Sequence, residues 1–126
     1  MEKPNNIVRI PCSLDTNFFK LWLKFLKPFH NLANREIDVM AELLKHRYNL
    51  SKVITDPEIL EKVTLGEDTK KKIREDCGIA VQHFQILMRG LKNNKMIIDN
   101  KINPKFIPNI TKENGYFQLM LLFDIQ

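Results

Sequence analysis

Three histidines, two cysteines and a scatter of carboxylates are the side chains here whose types suit acid–base, nucleophilic or metal chemistry. His30, His46 and His83 stand far apart, with no H-E-x-x-H motif, no C-x-x-C pair and no carboxylates clustered at metal spacing. No metal site and no cofactor is expected. The four glycines cannot assemble a G-x-x-x-x-G-K or G-x-G-x-x-G phosphate loop, and a G-x-S-x-G nucleophile elbow is missing as well. The reading is therefore a non-enzymatic protein.

The basic side chains are more informative. The chain of 126 residues has a formal net charge of +5, unevenly distributed. Residues 1–66 carry ten Lys and Arg against eight Asp and Glu, residues 67–112 carry ten against five, and residues 113–126 carry none against two. Such a skew attracts polyanions, nucleic acid above all; a solvated basic face is the plainer alternative. Cys12 and Cys77 read as reduced, buried thiols, which points to the cytoplasm. No apolar run reaches the ~18 residues of a membrane span, and no secretory leader opens the chain, so no membrane partner is expected.

The elements that must position these side chains follow from periodicity and breakers. With 44% hydrophobic residues the chain suits one domain, residues 1–126, with a single core that needs no disulfide. Residues 6–12 read as a short strand, with Pro11 confining it to an edge or a turn. Ser13, Asp15 or Thr16 can cap a helix over residues 17–27 that Pro28 discourages from continuing. On that helix Lys20, Lys24 and Lys27 form one narrow stripe, and Phe18, Phe19, Leu21, Trp22, Leu23, Phe25 and Leu26 cover the rest. So wide an apolar arc asks for burial on two sides, for a partner, or, less well, for a membrane surface. A further helix capped by Asn31 or Asn34 runs to about Tyr48 and presents Ile37, Met40, Leu44 and Tyr48 at helical spacing. Asp56, Pro57 and Glu58 then start a short helix over residues 57–63 that Gly66 ends.

Residues 67–97 hold the most specific pattern. A helix over residues 68–76 buries Ile73, Gly78 makes a sharp turn, Ile79 plugs the corner, and a second helix starts near Ala80. Its apolar positions Phe84, Leu87, Met88 and Leu91 recur at i, i+3, i+4 and i+7, and Ile97 closes the core. Ile73, Gly78, Ile79, Phe84, Leu87, Leu91 and Ile97 together resemble winged helix-turn-helix proteins of the MarR and plasmid-replication-initiator type, as found among small phage-encoded proteins. The resemblance spans about residues 32–108, with residues 32–44 as the preceding helix.

That resemblance implies that the second helix enters the DNA major groove. The outward positions carried over are Val81, Gln82, His83, Gln85, Ile86 and Arg89. Gln82 and Gln85 would pair with adenine and Arg89 with guanine or a phosphate, while Lys70, Lys71, Lys72, Lys92, Lys95 and Lys101 would hold the backbone. His83 reads either as a base contact or as a solvent-facing side chain beside Phe84. Ala80 stands where a Ser or Thr cap is common, Gly90 costs ~1 kcal/mol inside a helix, and Val81 and Ile86 place apolar groups on the reading face. Asp99, Asn100 and Lys101 make a tight wing tip between short strands near residues 96–98 and 102–106.

Residues 116–125 form the clearest strand pattern, with Phe117, Leu119, Leu121, Phe123 and Ile125 on one face. A partner strand near residues 7–10, or another chain, should cover it. The expected fold is thus α+β, a mainly helical winged helix-turn-helix with a small antiparallel sheet made of the wing hairpin plus N- and C-terminal strands. Its parts are residues 1–31 (strand and amphipathic helix), 32–108 (winged helix-turn-helix) and 109–126 (C-terminal strand). The expected function is duplex-DNA binding as a regulator or replication accessory factor in the cytoplasm. The alternative is a structural or interaction protein, such as a phage virion or assembly component, that uses the fold as a packing module. A homo-oligomer is expected, with Phe18, Phe19, Trp22, Leu23, Phe117, Leu119 and Leu121 as the candidate partner interface.

Overall fold

Asp15 starts the first helix: its carboxylate accepts the Asn17 backbone N–H at 2.9 Å, and α1 runs over Thr16–Phe25. The structure, a computed structural model, describes residues 7–110 and 115–126. The chain bends at Leu26, and Pro28 falls in the first turn of a short helix α2 (Lys27–His30), where its missing N–H costs nothing. Asn31 does not cap the next helix but closes α2 in the left-handed conformation, at φ 54°. Helix α3 (Asn34–Ser51) instead begins at Ala33, whose N–H donates to Glu36 Oε1 at 2.8 Å.

The Asp56 carboxylate accepts from the N–H groups of Glu58 and Ile59 at 2.9 and 3.2 Å and starts α4 (Pro57–Thr64). Gly66 does not end α4 as expected; it is the cap that opens α5 (Glu67–Cys77). Helix α6 (Val81–Asn93) follows, then the hairpin of β1 (Ile97–Ile98) and β2 (Lys101–Ile102) and a 3₁₀ turn at Pro104–Phe106. The protein is mainly helical, with six helices and one two-stranded antiparallel sheet among the described residues.

Helix α3 is the centre, because α1, α4, α5 and α6 all pack on it. Ile37 is buried, and so is every residue of 39–44, Glu42 included, so over residues 39–44 the helix has no solvent face. The spacing of Ile37, Met40, Leu44 and Tyr48 marks only one side of it. Its other sides are covered because four helices pack around it.

That packing answers the question raised by the apolar arc of α1. Phe18, Phe19, Trp22 and Leu23 are all buried within the chain, which corrects the expectation that they form a partner interface. The Trp22 indole N–H donates to the Phe106 carbonyl at 2.8 Å, tying α1 to the turn that follows the hairpin. Burial within the chain takes up most of the arc, while Leu21 is half-buried and Phe25 stays 53% exposed. Among the described residues no helix is long and apolar enough to cross a membrane.

The two terminal strands do not form. Residues 7–13 and 115–126 have no strand structure, and Asn6, the first residue of the expected N-terminal strand, lies outside the described residues. A strand needs backbone partners, and no backbone hydrogen bond joins residues 115–126 to any other described residue. The tail is held by one side chain instead: Phe117 packs edge-on against Phe18 and Trp22, each at 5.4 Å between ring centroids. Beyond it Leu119 and Leu121 are 40% and 52% exposed, and Phe123 reaches 84%. The alternating pattern therefore records strand-forming potential with no strand partner among the described residues.

His30 fixes the corner between α1 and α3. It is buried, its Nε2–H donates to the Leu23 carbonyl at 2.7 Å, and its Nδ1 accepts the Leu32 N–H at 3.0 Å. Only the neutral ring can do both. Burial, reinforced by Lys27, pushes its pKa below the ordinary 6.5, against the opposing pull of the Leu23 carbonyl and Glu36. Burial and Lys45 do the same for His46, with Glu42 and Asp76 opposing and Lys72 adding slightly. Since the folded state disfavours the charged form, this stabilisation is complete above the unfolded-state pKa and is lost as pH falls through the lower folded value. The urea midpoint should accordingly be lower at pH 5 than at pH 7, and lose that difference in a His30→Gln/His46→Gln variant. An equal midpoint at both pH values in the natural chain contradicts the assignment.

Candidate nucleic-acid interface

Helix α5 stops because Gly78 takes the left-handed conformation, φ 63° and ψ 42°, and the next N–H, of Ile79, donates back to the Arg74 carbonyl at 2.9 Å. Nothing lies within 4 Å of where a Gly78 Cβ would stand, so only the backbone conformation calls for glycine there. Ile79 is buried in the corner, as its position suggested. Arg35 of α3 clamps the same end, one guanidinium N–H donating to the Cys77 carbonyl at 3.0 Å and another to Asp38 at 3.1 Å.

Helix α6 buries Phe84, Leu87, Met88 and Leu91. At 100° per residue, the opposite side is led by Gln82, Ile86, Arg89 and Asn93, with Gln85 beside them. All five are exposed, and Val81 and His83 lie exposed at the two margins. Asn93, in line with Arg89 one turn on, is a surface position that the sequence reading passed over. Gly90 also finds its reason here: a Cβ would overlap the Glu36 carboxylate, the group that caps α3. The glycine lets α3 and α6 approach, which compensates for its poor helix propensity.

Ion pairing is uneven among the cations. Lys20, Arg35, Lys45 and Arg47, on α1 and α3, each pair with a carboxylate at 2.9–3.5 Å. Among the described residues, no such ion pair involves Lys70, Lys71, Lys72, Arg89, Lys92, Lys95 or Lys101, and Lys24, Lys27, Lys62 and Lys105 also join none. Lys71 and Arg74 line a shallow groove between the end of α5 and Val81, and Arg74 stands over the Phe84 ring at 6.0 Å. Lys72 is exposed and does not line that groove. Lys70 is half-buried, while Arg89, Lys92, Lys95 and Lys101 are exposed.

The hairpin pairs Ile97 with Ile102 and Ile98 with Lys101, and its two-residue turn puts Asp99 and Asn100 at φ 53° and 60°. Its base is pinned from outside. Glu61 of α4 takes the Arg47 Nε–H at 3.0 Å with one oxygen and the Ile102 N–H at 3.3 Å with the other. Both side chains went unnoticed in the sequence, since nothing local links residue 61 to residue 102.

Lys95 links α6 to β1 in the left-handed conformation, φ 61°. The Met96 N–H donates to the Leu91 carbonyl and the Lys95 N–H to the Lys92 carbonyl, a Schellman closure that usually has glycine at this place. Lys95→Gly should therefore stabilise the fold by about 0.5–1 kcal/mol, seen as a higher urea midpoint. If Lys95 also meets a polyanion, the same change should lower the salt slope of binding by about 1. A less stable variant would contradict the first half, and an unchanged slope the second.

The fold also gathers side chains that are scattered in sequence. Asp76 of α5 meets His46 and Glu42 of α3, with their ligand-type atoms all within 4.8 Å of one another. Glu42 is already compensated, because Lys45 Nζ lies 2.9 Å from Oε2 and the Thr16 hydroxyl donates to Oε1 at 2.7 Å. Lys45 supplies the positive charge that a metal would bring. Cys77 is only half-buried and Cys12 is exposed, correcting the expectation of two buried thiols. Burial, with Glu42 next, pushes the Cys77 thiol pKa up. Compared with protein-family models, with curated proteins and with solved structures, the chain matches none of them.

Proposed function

We propose that this protein is a winged helix-turn-helix that binds duplex DNA, as a regulator or replication accessory factor. The observation that carries this reading is the pairing of an open outward face on α6 with cations that have no carboxylate partner. Gln82, Gln85 and Arg89 are exposed, and so are the cations Lys92, Lys95 and Lys101 that follow them in the chain. A tight turn at Gly78 joins α5 to α6, and both helices pack on α3; this order of elements supports reading α6 as the helix offered to the major groove. Gln82 and Gln85 offer amides for adenine, Arg89 a fork for guanine or phosphate, and the lysines a salt-dependent grip on the backbone.

A second reading, an assembly component that packs through this fold, is favoured by one observation. Residues 119–125 leave Leu122, Phe123 and Ile125 at 79%, 84% and 94% exposure, with no backbone hydrogen bond to another of the described residues. Such a segment suits strand addition to another chain, with Leu119 and Leu121 as its remaining contacts. Backbone amide shifts on titration with a duplex separate the two readings. DNA binding predicts changes centred on residues 78–101; an unresponsive α6, with changes only on self-association in residues 115–126, would favour assembly.

A further inference from the structure

Ile86 is out of place on a polar helix face. It is 58% exposed, near the middle of the outward side of α6, one turn from Gln82 and adjacent to Gln85. Its neighbours on that face are Gln82, Gln85, Arg89 and Asn93, all polar. Val81, 51% exposed, is the nearest other apolar group on the helix and lies at the margin of the face. A protein-docking surface needs several hundred Å² on each partner with an apolar centre, and one isoleucine ringed by amides and a guanidinium is far smaller. The complementary ligand is one small apolar group set among hydrogen-bonding groups.

The major-groove edge of DNA presents one such group, the 5-methyl of thymine. We infer that the α6 face selects A·T base pairs in duplex DNA, with Ile86 contacting a thymine methyl and Gln82 and Gln85 reading the adenine edges. The inference rests on the duplex-DNA reading above and adds a substrate class to it. The i, i+4 spacing of Gln82 with Ile86 sets an amide and an apolar side chain on one line along the groove. One contact of each kind can then fall on neighbouring A·T pairs. Arg89 is the one group on the face suited to guanine, so a single G·C pair beside an A·T tract is the pattern that the face complements.

The test begins by enriching bound duplexes from a randomised pool, then compares the enriched duplex made with deoxythymidine against the same duplex made with deoxyuridine. Deoxyuridine removes the methyl and leaves the phosphates and hydrogen-bonding edges in place. The expected site is A·T-rich, with about fourfold weaker binding of the deoxyuridine duplex for each contacted methyl. Ile86→Ala should bind both duplexes equally. An exposed position tolerates this change, and an unchanged urea midpoint verifies the fold. A G·C-rich site, equal binding of both duplexes by the natural chain, or a preference that survives Ile86→Ala overturns the inference while leaving DNA binding intact. No enrichment at all, at low salt, overturns the DNA reading itself.

Discussion

Trp22→Ala should lower the unfolding free energy by about 4 kcal/mol, among the largest stability effects expected of a single substitution in this chain. Removing a buried large side chain typically costs about 3–5 kcal/mol, and losing the indole N–H also strands the Phe106 carbonyl. Against a total of about 5–15 kcal/mol for an ordinary domain, this is a large share. Trp22→Phe retains a ring beneath Phe117 but not the donor, so it should cost about 1–2 kcal/mol. Circular dichroism must follow unfolding, because Trp22 is the single tryptophan. The same experiment tests the correction made for α1. Were Trp22 part of an interface between chains, its removal would change the molecular size and leave the stability of each chain nearly untouched.

The second large effect concerns binding. Arg89→Ala combined with Lys92→Ala should weaken duplex binding by roughly two orders of magnitude at about 0.1 M salt, and make the salt dependence shallower by about 1–2 in log–log slope. Both side chains are exposed at the outer side and end of α6, and neither is in an ion pair among the described residues. The urea midpoint should hardly move, since surface changes of this kind stay within about 0.5 kcal/mol each. Lys20→Ala combined with Lys24→Ala removes the same charge from α1 and is the control. Equal losses from both pairs would mean that net charge alone, and no defined face, attracts the DNA.

What could be read from the residues was decided by how local the determining contacts are. The turn at Gly78 and Ile79, the buried stripe of α6 and the Asp56–Pro57 start of α4 are set by neighbours within a few positions, and each stands where its pattern put it. The tight Asp99–Asn100 tip is equally local. The failures are long-range. The apolar alternation of residues 116–125 is real, but whether it becomes a strand depends on a partner, and Phe117 is held by packing on the core, its ring against Phe18 and Trp22. The apolar arc of α1 left double burial and a partner equally open, because periodicity counts apolar faces without saying what covers them.

The candidate site followed the same division. Gln82, Gln85 and Arg89 were legible as outward because the inward stripe of the same helix was. Lys70, Lys71 and Lys72 look equivalent in sequence, yet successive residues on a helix point about 100° apart. Lys71 thus lines the groove beside Val81 and Lys72 does not. Glu61, which pins the hairpin to α4, and Glu36, which explains Gly90, act across 41 and 54 positions respectively. No local pattern marks either.

The central claim, that a polyanion docks on the open face of α6, is tested most directly by the affinity of the natural chain for a labelled duplex across a range of salt concentrations. With about 4–6 phosphates neutralised, log Kd should rise against log salt with a slope of roughly 4 to 5. No measurable binding at low salt, or binding that salt does not weaken, would contradict it.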